Sequence, residues 1–92
     1  MTSASRFMVV CGSSVARTMI IRGLRAEIDG VQITECGSAQ EALAYGANNR
    51  IDFIINSLAL PDGGGVEFIS AIRKLPRQRY TPLVAVLGSN EP

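Results

Sequence analysis

The stretch FMVVCGSSVAR, residues 7–17, passes from a continuous apolar run through a corner of small residues into an amphipathic pattern. Residues 7–10 are all apolar and end at a turn signal, which is typical of a strand buried on both faces of a sheet. After the corner, apolar residues recur at helical spacing over residues 13–28, with Ser13 or Ser14 available as the helix N-cap. The stretch therefore predicts a strand that leads directly into a helix.

The same alternation of strand and helix continues along the chain. Residues 31–35 alternate as a half-exposed strand would, and Ser38 and Glu41 are in capping-box register at the start of a second helix. The further predicted elements are a helix over 38–48, a strand over 51–55, a helix over 65–75 and a strand over 82–87. This order predicts an α/β fold: one domain over residues 1–92, with a parallel sheet of four strands and three helices on its two faces.

The predicted fourth strand, residues 82–87, is apolar on both faces, as a central strand would be. The sequence continues only with GSNEP, and no fifth strand follows. We therefore expect the outer edge of this strand to lack a partner, which favours pairing with another chain.

The composition argues against two classes of partner and several classes of enzyme. Nine Lys plus Arg against eight Asp plus Glu give a net charge of +1, so no strong field attracts nucleic acid or a membrane surface. No signal peptide is predicted, and we expect a cytoplasmic location. The sequence contains no histidine, which excludes zinc sites with histidine ligands, acid–base catalysis by histidine and hydrolase triads. We expect no cofactor and no metal.

The two cysteines, Cys11 and Cys36, lack the spacing of a metal site. Both are predicted at the same ends of neighbouring strands, so a disulfide, a soft-metal pair and two buried thiols are all compatible with the sequence.

Four segments together resemble one known family. Residues 60–69, LPDGGGVEFI, are similar to its loop into the third helix, with Pro61 followed four residues later by Gly65. The other matching segments are VV and SSVAR at 9–17, SAQEAL at 38–43 and TPLVAV at 81–86. The family is the receiver domain of two-component response regulators, a flavodoxin-like fold, and the resemblance covers essentially the whole chain. It implies a receiver that lacks its last strand and helices.

The resemblance also implies which residues would do the chemistry. Receivers take a phosphoryl group from a kinase histidine onto an aspartate four residues before the loop proline, and that position is Ser57 here. The acidic pair that holds Mg²⁺ falls on Cys11 and Gly12, the hydroxyl switch falls on Leu87, and the family's lysine lies beyond the last residue. The resemblance therefore implies a degenerate receiver that is not an enzyme.

Physical chemistry supports that expectation. Mg²⁺ needs hard oxygen ligands, preferably carboxylates. The thiol of Cys11, the hydrogen side chain of Gly12 and the hydroxyl of Ser57 provide no negatively charged oxygen for it. Two alternatives stay open: a residual phosphorelay receiver, and a binder of phosphate or nucleotide at the vacated strand ends. Gly12, Ser13 and Ser14 would present backbone N–H groups to such an anion at a helix N-terminus.

Apolar surface beside the incomplete edge predicts an interaction face. Gly23 and Gly46, at apolar positions of the first two helices, are compatible with close packing of a partner helix or with an eroded core. The partners expected are a second copy, as a dimer, or a signalling protein such as a histidine kinase or regulator. The predicted face consists of Met19, Ile20, Leu24, Ile28, Leu83 and Val86.

A basic cluster near the end of the third predicted helix consists of Arg73, Lys74, Arg77 and Arg79. Cations are favourable at a helix C-terminus, so we interpret this cluster as a solvated helix end and expect no nucleic-acid partner.

Overall fold

Strands and helices alternate in the structure, a computed structural model that describes residues 5–86. The elements are β1 Arg6–Val10, α1 Ser14–Glu27, β2 Gln32–Cys36, α2 Ala39–Asn48, β3 Phe53–Ser57, β4 Ala59–Leu60, β5 Gly63–Gly64, α3 Gly65–Ile72, a 3-10 turn Pro76–Gln78 and β6 Leu83–Val86. The predicted order of elements is confirmed, and the short β4–β5 hairpin is an addition that the sequence pattern does not show.

The main sheet has four parallel strands in the order β2-β1-β3-β6. Val10 lies opposite Cys36 of β2 and opposite Asn56 of β3, so the carboxyl ends of these three strands meet at one edge of the sheet. The predicted α/β fold with a parallel sheet is therefore confirmed, and the strand order is that of the flavodoxin-like fold.

The main hydrophobic core lies between one face of the sheet and the helices α2 and α3. Its buried members are Met8, Val10, Cys36, Ala42, Ile51, Ile54, Phe68 and Ile72. Val9 of β1 and Ile21 of α1 are also buried but lie outside this cluster. Since Val9 points to the face opposite Met8 and Val10, α1 packs on that opposite face of the sheet. Helices cover both faces, as the alternation predicts.

Two predicted elements differ from the structure by two residues or more at their ends. The third strand is shifted from residues 51–55 to Phe53–Ser57, because Asn56 and Ser57 are polar yet buried and continue the ladder beyond the apolar run. The third helix ends at Ile72 and not at residue 75. Leu75 is extended, with φ −77° and ψ 125°, because the following Pro76 excludes the helical region for its neighbour.

Gly23 and Gly46 occupy different environments. Gly23 is exposed on α1, and a Cβ atom there would meet nothing within 4 Å, so its place in an eroded core was wrong, while the packing of a partner helix against it stays a prediction. Gly46 is buried in α2, and a Cβ atom there would lie 3.1 Å from Cδ1 of Ile72. Gly46 therefore serves close packing inside this domain.

We expect Gly23→Ala to raise the free energy of unfolding by about 0.5–1 kcal/mol, because alanine restricts the unfolded chain and improves helix propensity. Urea denaturation followed by circular dichroism measures this change. Gly46→Ala is the matched comparison, since the same gain is opposed by the tight contact with Ile72. A loss of stability in Gly23→Ala, or an equal gain in both variants, would contradict the assignment.

Within residues 5–86, β6 lies at the edge of the sheet and pairs only with β3. Leu83 lies opposite Ile54 and packs against the main core, whereas Val84 is 46% exposed on the other face. The predicted unpaired edge is therefore present in this part of the chain. No helix in the same residues is long and apolar enough to cross a membrane.

Candidate functional site

The residues predicted to form the vacated site lie together at the carboxyl ends of β1 and β3. Val10 is opposite Asn56, so Cys11 and Ser57 are at neighbouring strand ends. Gly12 connects β1 to Ser13, the N-cap of α1, whose Oγ accepts a hydrogen bond from the N–H of Ala16 at 3.2 Å. We call Cys11, Gly12 and Ser57 the strand-end corner. Leu87, the predicted switch position, lies outside the described residues.

Ser57 is 5% exposed, and its hydroxyl makes only local hydrogen bonds among the described residues. Its Oγ accepts from the N–H of Ala59 at 3.1 Å and donates to the carbonyl of the same residue at 3.1 Å. The hydroxyl thus closes the turn between β3 and β4. A serine whose proton is committed to a carbonyl, with no adjacent base, is a poor nucleophile.

Pro61 packs directly on the corner at Gly12. A Cβ atom at position 12 would lie 2.9 Å from Cδ of Pro61, which is closer than real side chains allow. Any side chain at this position, including a carboxylate, therefore requires the proline ring to move. Sequence reasoning placed Gly12 in the corner but missed this contact.

Asp62 follows the proline but is directed away from the corner, onto the N-terminus of α2. Its two carboxylate oxygens accept from the N–H groups of Ala39 and Gln40, each at 2.9 Å. Ser38 caps the same helix by accepting from the N–H of Glu41 at 3.2 Å. These contacts satisfy donors that a helix N-terminus otherwise leaves unpaired.

The hydrogen bond from Ala39, and then that from Gln40, lowers the pKa of the Asp62 carboxyl below its ordinary value of 3.8. A group whose pKa is depressed by folding stabilises the folded state above its unfolded pKa and loses that contribution as the pH falls through the folded pKa. We therefore expect Asp62→Asn to lower the urea midpoint of unfolding at pH 7. The difference in urea midpoint between the variant and the native chain should become smaller as the pH falls below about 4. A gap independent of pH would contradict this assignment.

Asp52, the other carboxylate near in sequence, lies at the opposite end of β3. It accepts from the N–H of Arg6 at 2.8 Å and lies 3.9 Å from the Arg50 guanidinium. Neither Asp52 nor Asp62 therefore places a carboxylate in the strand-end corner.

Arg17 of α1 is the charged side chain bound to the corner, and sequence reasoning missed it. Its Nη1 donates to the carbonyl of Cys11 at 2.6 Å, and its Nε donates to Oε1 of Glu35 at 3.0 Å. The guanidinium thus ties the first turn of α1 to the ends of β1 and β2. The available signal was an arginine at a half-buried position of an amphipathic helix, four residues after its N-cap.

Both cysteines are free and buried. Cys36 is paired with Val10, so its side chain lies on the same face of the sheet as that of Val10. Cys11 follows Val10 and points to the other face, so the two cysteine side chains lie on opposite faces of the sheet. Burial, and then the nearby Glu41 carboxylate, raises the pKa of the Cys36 thiol to about 11. Of the three possibilities left open by the sequence, the structure shows two buried thiols. Residues 5–86 contain no cluster of three or more potential metal-ligating His, Cys, Asp or Glu side chains.

The six residues predicted as an interaction face are divided between two faces of the sheet. Met19 is 68% exposed on α1, while Leu83 is half-buried against the main core on the side of α2 and α3. The others, Ile20, Leu24, Ile28 and Val86, are half-buried. The large exposed apolar residue of β6 is Val84, which the predicted face omitted.

Comparison with known proteins gives two sequence relatives and many structural ones. No family model matches the chain. It is 42% identical over 48 residues to the KDP operon transcriptional regulatory protein KdpE of Escherichia coli (strain K12), covering 52% of this chain and 21% of KdpE. It is 36% identical over 59 residues to the signal transduction histidine-protein kinase BarA of Shigella flexneri, covering 63% of this chain and 6% of BarA. The chain thus spans about a fifth or less of these curated relatives.

The structural likeness extends over almost the whole chain. The chemotaxis response regulator CheY4 of Vibrio cholerae superposes with a TM-score of 0.85 and 26% identity, covering 98% of this chain and 73% of that chain. The fold and its strand-end corner are those of an α/β domain with a doubly wound parallel sheet. Within that class the chain has the fold of a CheY-like receiver domain, and the predicted resemblance to response-regulator receivers is confirmed.

Proposed function

We propose that this chain is a receiver-type signalling module that acts through protein contacts and does not accept a phosphoryl group. The observation that carries the proposal is the strand-end corner, in which the Ser57 hydroxyl is bound to Ala59 and neither Cys11 nor Gly12 supplies a carboxylate. Receiver domains are in general non-catalytic modules that interact with histidine kinases and regulators, and this role needs only the surface of the fold.

Loss of the carboxylates affects both requirements of phosphoryl transfer. An aspartate would supply the nucleophile, and an acidic pair would hold the Mg²⁺ that neutralises the incoming phosphoryl oxygens. The contact between Gly12 and Pro61 adds a steric obstacle, because an acidic side chain at position 12 would require the proline ring to shift.

Incubation with acetyl phosphate and Mg²⁺, followed by intact-protein mass spectrometry, tests this proposal. We expect no phosphate adduct on the native chain or on Ser57→Asp, because the restored nucleophile still lacks a metal site. The double variant Ser57→Asp with Cys11→Asp serves as the matched comparison. It supplies one carboxylate at the nucleophile position and one at the Mg²⁺-binding position. A stable phosphate adduct on the native chain would refute the proposal.

A second candidate function is self-association through the α1 side of the sheet. Phe7 and Phe53 stack at 5.3 Å between ring centroids and are half-buried, and Val84 is exposed on the neighbouring edge strand. By strand alternation these side chains share the face on which α1 packs. Apolar surface beside an unpaired strand edge favours pairing with a second copy.

The molar mass of the 92-residue chain, measured by light scattering after size exclusion, tests self-association. We expect a dimer for the native chain and a monomer for Val84→Lys, because a charged side chain on an edge strand opposes pairing. Val66→Lys is the control, since Val66 is the same type of residue and is still more exposed, but lies on α3. A monomeric native chain, or a dimer unaffected by Val84→Lys, would contradict this second candidate. A cytoplasmic location and a single domain over residues 1–92 stay predictions.

A further inference from the structure

A groove of about 490 Å³ lies between the N-terminal half of α2 and the helix α3, and none of the three residues of the strand-end corner lines it. The side chains that matter for its chemistry are Ala39, Leu43, Asp62, Glu67, Phe68 and Ala71. Gly63 and Gly64 also border it, and their lack of side chains leaves the loop side of the groove open.

The groove combines an apolar wall with two carboxylates. Leu43 of α2 and Ala71 of α3 form apolar sides over the buried Phe68, while Asp62 and Glu67 are exposed at the end where both helices begin. A site of this kind fits a side chain that has an apolar stem and a cationic head, because long basic residues bury their methylene groups while the charge stays near polar partners.

The net charge of the groove is negative. Asp62 and Glu67 contribute two negative charges, and the N-termini of α2 and α3 offset them by roughly half a positive charge each, which leaves about one negative charge. None of the residues that line the groove is a lysine or an arginine. A cationic partner is therefore favoured over an anionic one.

Both carboxylates retain capacity for further hydrogen bonds. Each oxygen of Asp62 accepts one backbone N–H, and Oε1 of Glu67 accepts the N–H of Gly64 at 2.7 Å. A carboxylate oxygen has a second acceptor direction, so both groups can accept from an incoming donor without releasing the helix caps. These caps also hold the carboxylates in place before a partner arrives, which reduces the entropic cost of binding.

We propose that this groove receives an arginine side chain from a partner polypeptide, with the stem against Leu43 and Ala71 and the guanidinium on Asp62 and Glu67. Arginine is favoured over lysine because its planar fork carries five donors and reaches two carboxylates at once. The inference names a contact for the proposed protein-interaction function, but it does not depend on whether Ser57 accepts phosphate.

Titration of the ¹⁵N-labelled chain with the blocked tripeptide acetyl-Ala-Arg-Ala-amide, followed by amide NMR, tests the proposal. We expect saturable shifts centred on Gln40, Gly64 and Glu67, and binding about fivefold weaker for the peptide with neutral citrulline in place of arginine. Equal affinity for the two peptides, shifts centred elsewhere, or no shifts up to about 10 mM would overturn the proposal.

Variants of α3 separate the groove from general surface effects. Ala71→Leu places bulk in the groove and is expected to abolish the arginine-dependent shifts, whereas Ser70→Leu, at the adjacent exposed position, is expected to preserve them. Glu67→Gln retains an oxygen acceptor for Gly64 and removes one charge, so we expect severalfold weaker binding with the fold intact. Unchanged binding by both groove variants would overturn the proposal, whatever the outcome of the phosphorylation assay.

Discussion

Gly65→Ala is expected to destabilise the protein by about 3–5 kcal/mol, enough to abolish cooperative folding of a small domain. A Cβ atom on Gly65 would overlap the carbonyl oxygen of Ser57 and lie 2.6 Å from Cα of Leu58. Both obstacles are backbone atoms, so no rotation of a side chain relieves the clash. The first turn of α3 would have to separate from the end of β3.

The local hydrogen bonding shows why that separation is costly. The N–H of Gly65 donates to the carbonyl of Leu58 at 2.9 Å, so the close approach is part of the β3–α3 connection. Phe68 and Ile72, on the same helix, are buried in the main core. Movement of the first turn would disturb both the backbone contact and the packing that follows it.

Urea denaturation of Gly65→Ala and Gly64→Ala measures the effect with a matched control. A Cβ atom on Gly64 would lie 3.0 Å from Oε1 of Glu67, which is the end of a flexible side chain. We therefore expect Gly64→Ala to cost less than about 1 kcal/mol, because the side chain can shift. Equal stability of the two variants would show that the β3–α3 contact is looser than the structure indicates.

The same loop shows how far the sequence determines the fold. The spacing of Pro61 and Gly65 identified the loop. Continuous or alternating apolar runs located the strands of the main sheet, and helical spacing and capping residues located the helices. The boundary of β3 was missed because Asn56 and Ser57 are polar residues in a buried strand, and hydrophobic periodicity does not register such residues. Asn56 Oδ1 has no hydrogen-bond partner among the described residues, which makes this polar strand end more unusual.

The strand-end corner was predictable in position but not in detail. Parallel strands bring their carboxyl ends together, so Cys11 and Ser57 were expected to be neighbours once the topology was known. The contact of Pro61 with Gly12 and the hydrogen bonds from Ala39 and Gln40 to Asp62 join segments far apart in the chain. Such contacts leave no periodic trace in the sequence, and they are what directs the nearest carboxylate away from the corner.

Gln78→Ala is the second substitution expected to have a large effect, a loss of about 2–4 kcal/mol of stability from unpaired buried polar groups. Gln78 is fully buried in the 3-10 turn. Its Nε2 donates to the carbonyls of Gly46 at 2.9 Å and Asn49 at 2.8 Å, and its Oε1 accepts from Oγ1 of Thr81 at 2.7 Å. The side chain thus pairs carbonyls at the end of α2 and fixes the segment that leads into β6.

Comparison with two further variants separates these contributions. Thr81→Val removes one hydrogen bond to Gln78 and is expected to cost about 1 kcal/mol, whereas Gln40→Ala, on the exposed side of α2, is expected to change stability by less than about 0.5 kcal/mol. Hydrogen exchange should show faster opening of the last turn of α2 in Gln78→Ala, because the carbonyls of Gly46 and Asn49 lose their partner. If Gln78→Ala and Gln40→Ala were equally stable, water would have to replace the lost contacts at little cost. In that case the position of α2, and with it the α2–α3 groove, would depend on the core packing of Ala42 and not on this buried amide.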